Sequence, residues 1–246
     1  MDYERFYEEV SIENGWDFSK VRTSTEGIKW DFYEEVTKRA RKTDILLDIG
    51  TGGGERLLEV AASLLFSVGI DLSKGMVETA RTNLHQSKLT NVRFSQMSAD
   101  TLQFPADFFD VVSCRHATFF ANEVARVVKN GGYFLTQQVS ENDKINLKQA
   151  FGRGQALNEP DGSLKNRYIE ELTEVGFTNV QAFDYDAVEY YHRPSDLIFL
   201  LKHTPIIPHF GDEPKDFDIL EDFIADNQTE KGIQTNSKRF LIVAEK

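Results

Sequence analysis

Residues 46–56 read LLDIGTGGGER. An aspartate, Asp48, sits near the end of an apolar run, and Gly50, Gly52, Gly53 and Gly54 crowd the turn before charged residues resume. Glycine at a strand-to-helix turn lets a ligand approach the backbone and aims free N–H groups at it. A tight turn without a ligand needs one glycine, not four. Two registers compete. The dinucleotide fingerprint G-x-G-x-x-G, counted from Gly50, puts its third position at Glu55, where an acid would face a pyrophosphate. The register D-x-G-x-G-x-G takes Asp48, Gly50, Gly52 and Gly54 without a gap and accounts for the aspartate. A second carboxylate, Asp71 in GIDLS, ends the next apolar run, where it can accept hydrogen bonds from ribose hydroxyls. A helix N-cap is the plain alternative for Asp71, although Ser73 can serve as that cap.

These residues resemble the class I S-adenosylmethionine-dependent methyltransferases of small-molecule type. The resemblance is strong over roughly 44–139 and weak from there to 246. It implies S-adenosyl-L-methionine as cofactor, lying against Gly50, Thr51, Gly52 and Gly54. It also implies that Asp48 reaches the methionine part, directly or through water, and Asp71 the ribose, with Leu72 among the cofactor contacts; Met76 resembles the residue packed on the adenine face, with a plain core methionine on a helix as the equal alternative. In SADTLQFPADFFDVV (98–112), it implies that Asp100 accepts from the adenine amino group and that Ala99 offers its backbone N–H. KNGGYFLTQQ (129–138) is similar to the family's Lys-Pro-Gly-Gly turn, with Asn130 in place of proline. Asparagine also favours turns, so the change costs little. The stretch TFFANEVARVVKNGG is shorter than the family pattern, which implies a differently shaped groove near the methyl group.

Methyl transfer from a sulfonium needs mainly alignment, worth on the order of 10⁵–10⁸ M in effective concentration. A general base adds about 10²–10⁴-fold where the nucleophile holds its proton. Arg115 and His116, in SCRHATFF, follow the fourth apolar run directly. His116 is a candidate base or wall residue. Arg115 is a candidate clamp for a carboxylate and a candidate cofactor contact. Gln137 and Gln138 end the fifth run, and alternation turns one of them to the pocket; Gln138 is taken as the candidate. Cys114 is expected in the core. GWDFS (15–19) and KWDFY (29–33) echo each other, and Trp16 and Trp30 are lid candidates. His192, His203 and His209 are too irregularly spaced for a metal site, and none is expected.

The elements that must position these residues read as an α/β fold. Apolar strands at 44–50, 66–73, 91–100, 109–117 and 133–139 alternate with helical patterns at 55–64, 74–88 and 122–132. That alternation means βαβ units and a parallel sheet. A further helix is expected at 163–177, a long alternating strand at 179–192 and a terminal strand at 239–246, the last two pairing antiparallel. With the resemblance, the expectation is a doubly wound, Rossmann-like sheet of seven strands, mostly parallel with an antiparallel terminal strand. One domain is expected over 1–246. It comprises an N-terminal arm at 1–43 with helices near 2–10 and 28–41, a cofactor-binding core at 44–192 and 238–246, and an inserted lid at 193–237.

The chain has 246 residues, with 28 basic and 40 acidic ones and a net charge of −12. An acidic surface repels phosphate backbones and anionic lipid, so no nucleic-acid or membrane partner is expected. The start, MDYERFYEEV, has no apolar h-region, and the longest apolar runs fall far short of the ~20 residues of a membrane helix. The single cysteine allows no internal disulfide. A cytoplasmic enzyme acting on a small-molecule substrate is the expectation. A non-catalytic S-adenosylmethionine-binding module and a nicotinamide-dependent oxidoreductase are the alternatives; Glu55 and the Asp48 register speak against the second.

Overall fold

The computed structural model describes residues 21–246. The helix expected at 2–10 and Trp16 lie outside the described residues. The strands are β1 (Thr23–Glu26), β2 (Ile45–Ile49), β3 (Phe66–Asp71), β4 (Val92–Gln96), β5 (Phe109–Arg115), β6 (Val128–Val139), β7 (Thr178–Tyr191), β8 (Gln228–Thr229) and β9 (Gly232–Glu245). The helices are α1 (Phe32–Arg39), α2 (Glu55–Val60), α3 (Lys74–Ser87), α4 (Ala121–Val127), α5 (Ile145–Phe151), α6 (Ser163–Glu174), α7 (Pro194–His203) and α8 (Lys215–Asn227), with a 3₁₀ turn at Ala61–Ser63.

One sheet runs in the order β1-β7-β9-β6-β5-β2-β3-β4, and β8 pairs with β9. The pairs among β2, β3, β4, β5 and β6 are parallel, whereas β6–β9, β7–β9 and β1–β7 are antiparallel. Alternate side chains of each strand enter opposite layers. Leu47, Ile49, Val112, Cys114, Phe134, Phe240 and Ile242 join one core, on the side of α4 and α6. Leu46, Val111, Leu135, Leu241 and Val243 join the other, with α1, α2 and α3. Burial on both faces explains why β2, β3 and β5 read as unbroken apolar runs.

Several boundaries differ from the sequence expectation. The sheet has nine strands among the described residues rather than seven. The β7–β9 ladder continues to Tyr191–Ile233, beyond the β6–β9 ladder, which ends at Val139–Arg239. The outer edge of that hairpin then accepts β1, whose Thr23 pairs with Tyr191. Strand β9 begins at Gly232, so residues expected in the lid up to 237 belong to the sheet. Helix α4 stops at Val127, before Asn130-Gly131-Gly132, because Val128 already pairs with Phe109. The turn that follows is held by the chain end: Gly131 N–H donates to Lys246 O at 2.7 Å and Lys246 N–H to Gly132 O at 3.0 Å. Helix α5 was not expected; its only sequence signal is the apolar pair Leu147 and Phe151 in a polar setting, one helical turn apart.

A third core covers the hairpin extension. Leu147 and Phe151 of α5, Leu197 and Leu201 of α7, and Leu220 and Phe223 of α8 pack with Tyr191 and Ile233. Beneath this cap lies a buried charge cluster. Arg239 pairs with Asp143, and Lys144 Nζ lies 2.7 Å from Glu189 Oε2 and donates to Asn236 O at 2.9 Å. Burial by itself would raise the Asp143 carboxyl, but Arg239 and Lys144 hold it below the usual carboxylate range.

Candidate functional site

The glycine turn follows β2 at the carboxyl end of the parallel strands, where open α/β sheets bind ligands. Gly50, Gly52 and Gly54 all have positive φ, at 69°, 56° and 76°. Their surroundings differ. A Cβ on Gly50 would lie 2.2 Å from Ala117 Cβ, so glycine is needed for the loop to touch the turn after β5. A Cβ on Gly52 would meet nothing within 4 Å, so that position borders open space. Thr51 Oγ1 is buried beside it with no hydrogen-bond partner among the described residues.

Asp71 closes β3 next to this turn. Its Oδ2 accepts from Gly52 N–H at 2.9 Å and its Oδ1 from Ser73 N–H at 2.9 Å. The cap of α3 is Ser73, whose hydroxyl accepts from Met76 N–H at 3.3 Å. Asp71 is therefore not the helix cap; it ties two strand-end loops together. Leu72 beside it is 48% exposed, an apolar side chain left facing solvent. Asp100 is also exposed, after β4, with Ala99 half-buried before it.

Two of the candidate cofactor residues are buried side chains. Met76 is 1% exposed and belongs to the core of α3, because its position in the first turn faces the sheet. Asp48 is also 1% exposed. Its carboxylate accepts from Ser113 Oγ at 2.6 Å and from Tyr33 Oη at 3.1 and 3.2 Å. Burial raises the Asp48 carboxyl. Ser113, Thr51 and Tyr33 oppose the rise, although the Thr51 hydroxyl falls outside hydrogen-bonding geometry. Tyr33 is delivered by α1, which Asp31 caps by accepting from Tyr33 N–H and Glu34 N–H. Asp48 thus fastens the arm helix to the end of β2.

Arg115 ends β5, half-buried, and its Nε has no hydrogen-bond partner among the described residues. His116 follows in a left-handed conformation, φ 55°, and its N–H donates to Gln137 O at 2.9 Å. His116 is exposed. Desolvation by the surrounding protein atoms, with the positive charges of Arg239 and Arg115, holds its imidazole below the ordinary value. Its Nε2 lies 3.1 Å from Gln137 Nε2, and Gln137 Oε1 accepts from Trp30 Nε1 at 2.8 Å. Trp30 in turn packs on Tyr185 of β7, with ring centroids 4.6 Å apart.

Of the two glutamines, Gln137 meets His116; Gln138 does not. Gln138 is buried and donates to Ala117 O at 2.8 Å and Thr136 Oγ1 at 2.9 Å. Strand alternation left the choice open, and the left-handed turn at His116 decides it by placing the ring over residue 137. Cys114 is fully buried as expected, and burial pushes its thiol up. His192, His203 and His209 are dispersed, and no group of three metal-binding side chains occurs among the described residues. Sequence reasoning missed Tyr33 and Tyr185; acids flank both in sequence, Glu34 beside Tyr33 and Asp184 and Asp186 beside Tyr185, but no local pattern marks either tyrosine, and only the fold brings them in.

Glu55 occupies the first turn of α2, and its Oε1 would lie 2.3 Å from a Cβ placed on Gly53. A carboxylate so close to the loop opposes a pyrophosphate. No helix among the described residues is long and apolar enough to cross a membrane.

Residues 47–136 match the family described as "Methyltransferase domain". The uncharacterized methyltransferase YcgJ of Bacillus subtilis is 38% identical over 106 residues, which span 40% of this chain and 42% of that protein. The crystal structure of YcgJ superposes with a TM-score of 0.61 at 24% identity, covering 87% of this chain and 97% of that one. A structure titled as the [4+2]-cyclase SpnF gives 0.59 at 17% identity, covering 99% and 94%. At these identities, the superpositions show a shared fold.

Proposed function

We propose that the chain is a class I S-adenosylmethionine-dependent methyltransferase that transfers a methyl group to a small-molecule acceptor in the cytoplasm, a reading supported by the match of residues 47–136 to the methyltransferase domain and by the likeness to YcgJ. The observation that carries this reading is the conjunction at the glycine turn. Open space over Gly52, the Asp71 carboxylate that accepts from Gly52 N–H and the exposed Leu72 beside it meet there, and we place the exposed Asp100 on the same rim. Such a rim suits an uncharged nucleoside: Asp71 accepts from ribose hydroxyls, Leu72 packs on a base and Asp100 accepts from an exocyclic amine. S-Adenosylmethionine supplies a methyl group on a positively charged sulfur, which acids on this rim tolerate and Glu55 does not repel.

Asp48 holds the loop's starting strand and Tyr33 in register instead of meeting the ligand through an open carboxylate. Arg115 at the end of β5, His116 after it, and Trp30 packed on Tyr185 of β7 are the residues we assign to the acceptor side. The net charge of −12 disfavours a polyanionic acceptor. The helical cap, from the end of β7 to the start of β9, is assigned to covering the acceptor side.

A second reading deserves a place because one protein of this fold is titled a cyclase. A fold hosts more than one chemistry, so the chain could bind the cofactor without transferring its methyl group. Parallel calorimetric titrations with S-adenosylhomocysteine and NAD test the binding. Heat with the first and none with the second is expected; the reverse overturns the reading. A panel of small acceptors, scored by S-adenosylhomocysteine release, then separates transfer from binding alone.

A further inference from the structure

We propose that Trp30 and Gln137 lock His116 as a neutral imidazole with its proton on Nδ1, making it a hydrogen-bond donor to an acceptor oxygen and not a general base. The argument is one of donors and acceptors. An indole Nε1–H can only donate. The Gln137 atom 2.8 Å from Trp30 Nε1 must therefore be the carboxamide oxygen, which fixes the orientation of the amide. The amide nitrogen then faces His116 Nε2 at 3.1 Å, and that nitrogen can only donate. His116 Nε2 must carry a lone pair, so the proton of the neutral ring is on Nδ1. An imidazolium would set two N–H groups against each other across this contact.

The charges around the ring agree. Arg115 on β5 and Arg239 on β9 both disfavour a second proton; Arg239 is held by Asp143, and no acidic group acts on the ring among the described residues. With Nε2 occupied, His116 has no free basic nitrogen. Its Nδ1 has no partner among the described residues, and neither has the Nε of the adjacent Arg115. A free Nδ1–H on the exposed His116, under the positive charge of Arg115, suits a carboxylate or phenolate oxygen on the substrate. That last step rests on the methyltransferase reading; the tautomer does not.

Nitrogen-15 NMR of histidine-labelled protein without any ligand tests the lock directly. At pH 7, the His116 signals should report protonated Nδ1 and bare Nε2, and should hold that state well below the pH at which free histidine titrates. A ring protonated on Nε2, or charged at pH 7, overturns the proposal. Gln137→Glu supplies an acceptor in place of the donor. It should move the proton to Nε2 and raise the His116 pKa by at least about one unit, whereas a merely structural glutamine would leave the tautomer unchanged. Benzoate serves as the oxygen probe. A saturable shift of the Nδ1 resonance in the native protein, lost in Arg115→Met, is expected; an unmoved resonance overturns the substrate class. Calorimetry with S-adenosylhomocysteine on the same sample shows whether a negative result belongs to this inference or to the cofactor reading.

Discussion

Around the glycine turn the backbone makes the contacts, whereas under the cap buried charges make them. At the turn, Gly50 presses on Ala117, and Gly52 and Ser73 donate main-chain N–H groups to Asp71. Under the cap, Arg239, Asp143, Lys144 and Glu189 bind the hairpin extension to the segment after β6. The first arrangement is short in sequence and fixed in shape. The second joins residues about a hundred positions apart and depends on the whole sheet. A stretch that must present a uniform surface to one cofactor suits the first; a stretch that shapes a particular acceptor site suits the second.

The largest expected effect is on the charged side. Asp143→Ala leaves Arg239 and Lys144 buried beside a lost partner and should cost about 3–5 kcal/mol of stability in urea unfolding. Asp143→Leu combined with Arg239→Met should recover most of it; failure to recover would mean that the pair matters through more than its charge. Because the folded Asp143 carboxyl lies below its unfolded value, its contribution is complete above about pH 4 and is lost as pH falls through the folded value. An acid-unfolding curve of the wild type should show this limb, and the double variant should lack it.

Gly50→Ala comes next. The left-handed backbone and the clash with Ala117 together should cost about 2–4 kcal/mol. Gly52→Ala sharpens the comparison because its Cβ meets nothing. It should cost only about 1–2 kcal/mol of stability, while weakening S-adenosylhomocysteine binding in calorimetry. Equal stability losses in the two variants would break the distinction between a packed glycine and one that borders open space.

Asp71→Ala should weaken S-adenosylhomocysteine binding by about 1–3 kcal/mol through lost charge-assisted hydrogen bonds. Unchanged affinity would remove Asp71 from the site. The smallest effect is at Cys114. Burial and a raised thiol pKa should leave it unreactive to iodoacetamide at pH 8 in the folded protein and reactive in urea. Prompt labelling of the native protein would contradict its placement in the core.

The sequence alone determined the parallel half of the molecule. Runs such as DILLDIG and FSVGIDLS carry strand length, burial on both faces and the turn that follows within a dozen residues, so local pattern suffices. It also singled out Asp71, Asp100 and the glycines as candidates, because their types and spacing are themselves the signal. Tertiary structure alone decided that Gln137 and not Gln138 meets His116, that Asp48 holds Tyr33, and that Met76 turns inward. It also set the length of β9 and the pairing of β1, which depend on how far one hairpin outruns its neighbour. These outcomes turn on register between strands distant in sequence and on the direction of single side chains, and a one-residue shift in either reverses the result.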